Sequence, residues 1–272
     1  EGARQWLKVA GGAKACLLES ALRGRRWAPW EVLLECGAFI GYSTIRFAML
    51  LRVLGGVPVV SVEVDPVQGC IARHFVDLAG VSNSAEIWIG QFRDLLGRPV
   101  EEFGVRTMGL VFLDYKGTIF HIDLATLERY AALAPGGRAV ADNVALPGAP
   151  LYLWEMTRHP AWETSVWALQ EFLEANVEDW MCVSTYLAPD FRRPASAPPG
   201  WQQLSWHTDH MRRRAQGMRP GEQGMAEVDR VLYAEYIRST YRQAGIEARP
   251  WTEAPPQRLR HGLDRGSGDL QR

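Results

Sequence analysis

Apolar residues along this chain fall into short continuous runs set between stretches of helical spacing. Val32-Leu33-Leu34-Glu35-Cys36 is a compact run ending in glycine, the pattern of a strand buried on both faces. Apolar groups recur at helical spacing over residues 43–54, and residues 59–64 form a second strand candidate. Residues 66–79 follow as a helix with Pro66 near its first turn. Residues 85–89 predict a third strand, and residues 108–113, nearly all apolar up to Asp114, a fourth. Residues 122–133 read as a helix broken by Pro135-Gly136-Gly137, and residues 138–141 as a fifth strand running into Asp142-Asn143. A helix over 150–158 precedes two further strands, 164–169 and 181–187, read as a closing antiparallel pair.

This alternation predicts an α/β fold: a doubly wound, mostly parallel seven-stranded sheet with helices on both faces, occupying residues 1–188. Residues 189–272 read as a C-terminal extension. It has a Pro- and Arg-rich loop, one amphipathic helix within 222–243, and a polar end from 253 expected to be disordered. Ligands of such sheets bind beyond the carboxyl ends of the strands. Glu35, Glu63, Asp114, Asp142 and Asn143 all fall there.

Composition narrows the class. The 272 residues are 47% hydrophobic, enough for one large domain with appendages. A formal net charge of -1 gives no ground for nucleic acid or an anionic membrane as main partner. No apolar run approaches the roughly 20 residues of a membrane span. Cys16, Cys36, Cys70 and Cys182 form no CxxC pair and read as reduced thiols of a cytoplasmic protein. The chain starts without Met and is expected to be a piece of a longer one.

The turn Glu35-x-Gly37-x-x-x-Gly41 follows a strand and opens a helix. Its glycines let the backbone reverse tightly and approach a ligand, which suits a nucleotide-type ligand or a plain strand-to-helix turn. At the end of the second strand Glu63 is placed to accept both ribose hydroxyls of an adenosine group. Asp114, Asp142 and Asn143 together offer an all-oxygen site of the kind that Mg²⁺ takes; the alternative for Asp142 and Asn143 is helix capping. His207 and His210 lie three apart with nothing nearby to complete a metal site, and Met211-Arg212-Arg213-Arg214 reads as a solvated face.

From Gln5-Trp6 to about Tyr186 the chain resembles the catechol O-methyltransferase family of class I S-adenosylmethionine-dependent methyltransferases. The matching pieces are Gly12-Ala13-Lys14, Leu34-Glu35-x-Gly37-Ala38-x-x-Gly41-Tyr42-Ser43, Val76-Asp77-x-Ala79-Gly80-Val81, Val111-Phe112-Leu113-Asp114 and Ala141-Asp142-Asn143-Val144-x-x-Pro147-Gly148-x-Pro150. The resemblance implies S-adenosylmethionine and Mg²⁺ as cofactors and a small vicinal diol as substrate. It places Glu35, Gly37, Phe39, Gly41 and Ser43 around the methionine end, Glu63 on the ribose, and Val64, Gln91 and Phe92 at the adenine, with Asp114 and Tyr115 alongside. It also implies that Asp114, Asp142 and Asn143 hold the metal, and that Trp6 and Pro147 wall the acceptor ring.

Three positions depart from the family. Gly117 stands where the family has its catalytic Lys, with Lys116 one position earlier; Tyr115 replaces a His; and the acid that holds the second hydroxyl is matched by Glu171 only across a one-residue gap. Lys116 and Glu171 are the catalytic candidates. The competing expectations are a cofactor-binding module without turnover whose extension binds a partner, and a methyltransferase for a different acceptor.

Overall fold

A computed structural model describes residues 9–172, 177–187, 194–216 and 227–252. Helix α1 (Gly12–Arg23) leads into strand β1 (Val32–Cys36), α2 (Tyr42–Leu54), β2 (Val59–Glu63), α3 (Pro66–Leu78) and β3 (Ala85–Ile89). Two short helices, α4 (Phe92–Leu95) and α5 (Arg98–Phe103), precede β4 (Met108–Leu113). Then come α6 (Phe120–Arg129), β5 (Leu133–Ala141), α7 (Pro150–Met156), β6 (Trp162–Gln170) and β7 (Glu178–Tyr186). The chain ends in α8 (Pro199–Gln216), α9 (Glu227–Gln243) and β8 (Arg249–Pro250).

The sheet order is β3-β2-β1-β4-β5-β7-β6-β8. Strands β1 to β5 pair in parallel, while β7 runs antiparallel to both β5 and β6. The order reverses at β1, between β2 and β4, and that is where an open sheet of this kind leaves a crevice. Burial explains the continuous apolar runs. Val32, Leu34 and Cys36 pack on one face of the sheet and Leu33 on the other, so β1 has no solvent side.

The sheet has eight strands rather than the seven expected, because β8 adds in parallel to β6 through Trp167↔Arg249 and Ala168↔Pro250. Strand β5 begins at Leu133 and absorbs Pro135-Gly136-Gly137, which the sequence reads as a break. The ladder to β4 shifts register there, between Met108↔Leu133 and Leu110↔Arg138. A Cβ on Gly137 would come within 2.7 Å of Ala134 O and 2.9 Å of Met108 O, so this irregularity suits glycine. Helices α1 and α8 were also not anticipated. In α8 the buried positions Trp201, Leu204, Ser205 and Thr208 keep helical spacing, but half of them are polar and mask the apolar stripe.

The C-terminal helices share the core of the sheet's first face. Trp201 and Leu204 of α8 and Tyr233, Ile237 and Tyr241 of α9 are buried there with Trp180 of β7 and Tyr152 of α7. Trp201 stacks on Tyr241 at 5.7 Å, and Tyr241 lies 5.7 Å from Trp180. The disorder expected from residue 253, and Trp6, lie outside the described residues. Cys16, Cys36, Cys70 and Cys182 form no disulfide among the described residues. No helix among the described residues is long and apolar enough to cross a membrane.

Candidate active site

The turn after β1 is set by backbone geometry. Gly37 has φ +104°, and a Cβ there would overlap the carbonyl oxygen of Asp114 at the end of β4. Gly41, at φ +85°, opens α2 and packs against Ala72 of α3. Between them Phe39 also takes a positive φ of 49° and donates its N–H to Glu63 Oε2 at 2.8 Å. The other oxygen of Glu63 accepts from Asp65 N at 2.9 Å. Glu63 therefore ties the β1 turn to the end of β2 from a position only 9% exposed, and the capping of α3 falls to Asp65 instead. Each Glu63 oxygen keeps a free lone pair.

Glu35 lies beneath this turn, fully buried. Thr44 and Ser61 donate their hydroxyls to its Oε2, each at 2.5 Å, while its Oε1 is buried without a partner. Burial pushes the Glu35 carboxyl up, and hydrogen bonds from Ser43, Ser61 and Thr44 pull it partly back. Of the remaining positions expected here, Ser43 is buried, while Val64 and Gln91 are exposed. Phe92 is a core residue, edge-on to Tyr115 at 5.8 Å. The Tyr115 hydroxyl donates to Asp123 at 2.6 Å.

The ends of β4 and β5 carry the second half of the site. Asp142 accepts from Asn143 N at 2.7 Å and from Lys14 Nζ at 2.8 Å. Lys14 Nζ also reaches Glu171 Oε1 at 2.6 Å and Asp179 Oδ2 at 2.9 Å. Asn143, in the left-handed region at φ 56°, turns its amide toward Asp179 (2.9 Å) and Glu171 (3.3 Å). Asp179 accepts from Leu146 N at 2.7 Å through its other oxygen and so pins the loop after β5.

Burial alone would lower the Lys14 ammonium, but Asp142, Asp179 and Glu171 carry it well above the ordinary lysine range. Asp114 is pushed well up by burial and then by the like charge of Asp142. Burial takes Glu171 to about 7, against the pull of Lys14. Four carboxyl groups thus share a site with one ammonium, and the raised Asp114 and Glu171 hold protons more readily than ordinary carboxyls do. No three His, Cys, Asp or Glu side chains among the described residues group as metal ligands; Lys14 stands between the acids.

The structure brings Asp142, Asn143 and Glu171 together around Lys14, to which, as to Asp179, sequence reading gave no role. Lysine is scarce here, with Lys8, Lys14 and Lys116 set against many arginines, and a lysine flanked by Ala13, Ala15, Cys16 and Leu17 is the one available signal. Asp179 precedes a buried run and has no local signature.

Lys116 points elsewhere. Its ammonium pairs with Asp209 of α8 at 2.7 Å, and Asp209 also accepts from Thr118 at 2.8 Å. Gly117 is closed to a side chain: a Cβ there would lie 2.5 Å from Gly148 O and 3.1 Å from the Ala149 Cβ. Among the histidines, His210 stacks on exposed Trp206 (ring centroids 5.8 Å apart) with His207 beside it.

The fold is that of the O-methyltransferases. A structure from Streptomyces achromogenes, an O-methyltransferase involved in tomaymycin synthesis in complex with SAM, aligns with TM-score 0.54 at 21% identity, over 66% of this chain and 82% of that one. A Bacillus cereus O-methyltransferase in complex with SAH aligns with TM-score 0.53 at 20% identity, over 68% and 84%. In sequence, catechol O-methyltransferase B of Danio rerio is 35% identical over 150 residues, 55% of each chain. A probable O-methyltransferase of Mycobacterium tuberculosis is 32% identical over 184 residues, 65% of this chain and 76% of that one. The chain belongs to the catechol O-methyltransferase-like family of class I S-adenosylmethionine-dependent methyltransferases. It spans about half the length of the catechol O-methyltransferases it matches. No family model matches it.

Proposed function

We propose that this protein transfers a methyl group from S-adenosylmethionine to one hydroxyl of a catechol-like diol, with Mg²⁺ at the acceptor. The observation that carries this reading is the contact between Gly37 and the Asp114 carbonyl. It sets the β1 turn, where the cofactor would lie, against the residue whose carboxylate faces the acceptor side. Methyl transfer needs donor and acceptor held in line, and two adjoining half-sites supply that alignment.

The residues suit both groups. The partnerless Glu35 Oε1, the glycine cradle and the free lone pairs of Glu63 fit an amino-acid and ribose ligand. Asp114, Asp142 and Asn143 offer hard oxygen donors, and a hard divalent cation bound there would displace the protons that burial favours on the two acids. S-adenosylmethionine would supply an electrophilic methyl group, and Mg²⁺ would orient the acceptor hydroxyl and lower its pKa. Glu171 would hold the second hydroxyl. Lys116, as the neutral amine, would accept the proton, which requires its pair with Asp209 to open and its ammonium to give a proton to solvent first. Turnover of labelled S-adenosylmethionine with a panel of diols, with and without Mg²⁺, tests the reading.

Two variants separate its parts. Glu63→Ala is expected to weaken S-adenosylmethionine binding by about 1.5–3 kcal/mol, the scale of hydrogen bonds to a charged group. Calorimetry reads this directly, and equal affinities in a folded variant remove Glu63 from the site. Lys116→Met is expected to lower turnover by at least about 10²-fold with cofactor affinity unchanged; wild-type turnover in that variant takes Lys116 out of the chemistry. The Lys116–Asp209 pair and the closed position at Gly117 favour a second reading, a cofactor-binding module without turnover. Absence of methyl transfer to every diol, in a protein that binds S-adenosylmethionine, would remove the diol reading and leave this one beside a methyltransferase for a different acceptor.

A further inference from the structure

Helices α8 and α9 lie on the two loops that would frame the acceptor, and they touch them through specific polar and packing contacts. Asp209 of α8 holds both Lys116 and Thr118 of the loop after β4. Tyr233 of α9 donates its hydroxyl to the carbonyl of Pro147 at 2.9 Å and sits 2.8 Å from Thr208 Oγ1. The Tyr241 hydroxyl donates to the carbonyl of Val144 at 2.9 Å. Both carbonyls belong to the segment directly after Asp142-Asn143. Between the helices and the sheet the loops themselves are stacked. A Cβ on Gly148 would overlap Ile237 Cδ1 and come within 3.3 Å of the Tyr241 hydroxyl. On its other side the Gly148 carbonyl closes off Gly117.

We propose that α8 and α9 form a clamp that fixes the acceptor side of the site, with Asp209, Tyr233, Ile237 and Tyr241 as positioning residues that set acceptor binding without touching the cofactor half. This deepens the methyltransferase reading and rests on it for the word acceptor. The argument is one of placement. Apart from the Tyr233–Thr208 contact, which ties the two helices to each other, the polar contacts named above reach residues 116–118 or 144–147, whereas the cofactor half is built from α2, β1 and β2, with Glu63 bonded to Phe39 and Asp65. The clamp also accounts for the missing lysine. Gly148 is pressed between Ile237 and Gly117, so position 117 has no room for a side chain while α9 is in place. The charged group of that loop is displaced to Lys116 and received by Asp209.

The test uses the whole chain and three variants, Asp209→Asn, Tyr233→Phe and Tyr241→Phe, with Asp209→Glu as the conservative control. Amide hydrogen exchange is read at Gly148 and Ala149, whose N–H groups bond to Asn143 O and Val144 O, and at Ile119, bonded to Lys116 O. The two tyrosine variants are expected to speed exchange at Gly148 and Ala149 by roughly tenfold, the loss of about one hydrogen bond. Asp209→Asn should do the same at Ile119, and Asp209→Glu should restore it. Residues 37–45 and the dissociation constant for S-adenosylmethionine should stay as in the wild type, and in the two tyrosine variants KM for the diol should rise about tenfold with a smaller change in kcat. Unchanged exchange in both loops overturns the clamp. Equal loosening of residues 37–45 overturns it too, since that marks general destabilisation. A wild type that turns over no diol defeats the methyltransferase reading, while the exchange data still decide the clamp.

Discussion

Lys14→Met is expected to remove about 3–5 kcal/mol of folding stability in metal-free buffer, the scale for breaking a buried ion pair from one side. The reason is the company the ammonium keeps. Asp142, Glu171 and Asp179 each approach it within 3 Å, and all four side chains are less than a tenth exposed. Methionine fills a similar volume, so the loss reports charge and hydrogen bonding more than a cavity. The deficit should depend on pH with a definite sign. Burial already raises the folded-state pKa of Glu171 and Asp142, and without Lys14 both rise further. A folded pKa above the unfolded value means that the folded state holds more protons, so stability falls as pH climbs. The variant should therefore come closest to wild type near pH 5 and fall furthest behind above pH 7. Mg²⁺ at about a hundredfold over its dissociation constant should return on the order of 2.7 kcal/mol if the acids can take it in place of the ammonium. Urea unfolding with chelator or Mg²⁺ measures all three effects. A loss under about 1 kcal/mol would show that Lys14 is not the counter-charge of this cluster.

That residue also marks where the sequence stops being readable. The parallel half of the sheet is legible because β1, β2 and β4 are buried on both faces and so appear as unbroken apolar runs bounded by glycine or acid. Glu35, Glu63, Asp114, Asp142 and Asn143 are legible because they fall at or just past the carboxyl ends of β1, β2, β4 and β5, and those strand ends meet in space by topology alone. Lys14 and Asp179 are not, because their meeting depends on how α1 and β7 pack, across 165 positions of sequence. Glu171 is intermediate; the resemblance supplies it, and the geometry bonds it to Lys14. Helix α8 is hidden for a different physical reason. Its buried face includes Ser205 and Thr208, and Thr208 bonds to the Leu204 carbonyl and the Tyr233 hydroxyl inside the fold, so the face carries no continuous apolar stripe. Gly117 shows the same limit. As sequence it is a missing lysine open to restoration by substitution, but Gly148 leaves no space at that position, so Gly117→Lys is expected to disturb the loop after β5 rather than supply a base.

Exhaustive chelation is expected to lower turnover by on the order of 10³-fold or more, since charge stabilisation by a bound cation is worth several kcal/mol and each 1.36 kcal/mol is tenfold. Charge balance at the acceptor end points the same way. Asp114, Asp142, Glu171 and Asp179 face one ammonium, and burial first, then the like charges around them, raises Asp114 and Glu171. A deprotonated diol entering this site without a further cation would bring its negative charge to acids that one ammonium already serves. Asp142→Ala should reproduce the effect of chelation, and added Mg²⁺ should rescue the chelated wild type but not the variant. Cofactor affinity separates this outcome from collapse of the fold: Glu35 and Glu63 make their hydrogen bonds through Thr44, Ser61, Phe39 and Asp65, none of which involves Asp142. The dissociation constant for S-adenosylmethionine should therefore change little in either case. Full turnover after chelation would leave Lys14 as the sole cation at the acids and make this a metal-free member of its family; loss of cofactor binding in Asp142→Ala would instead show that the two half-sites form one cooperative unit through Asp114 and Gly37.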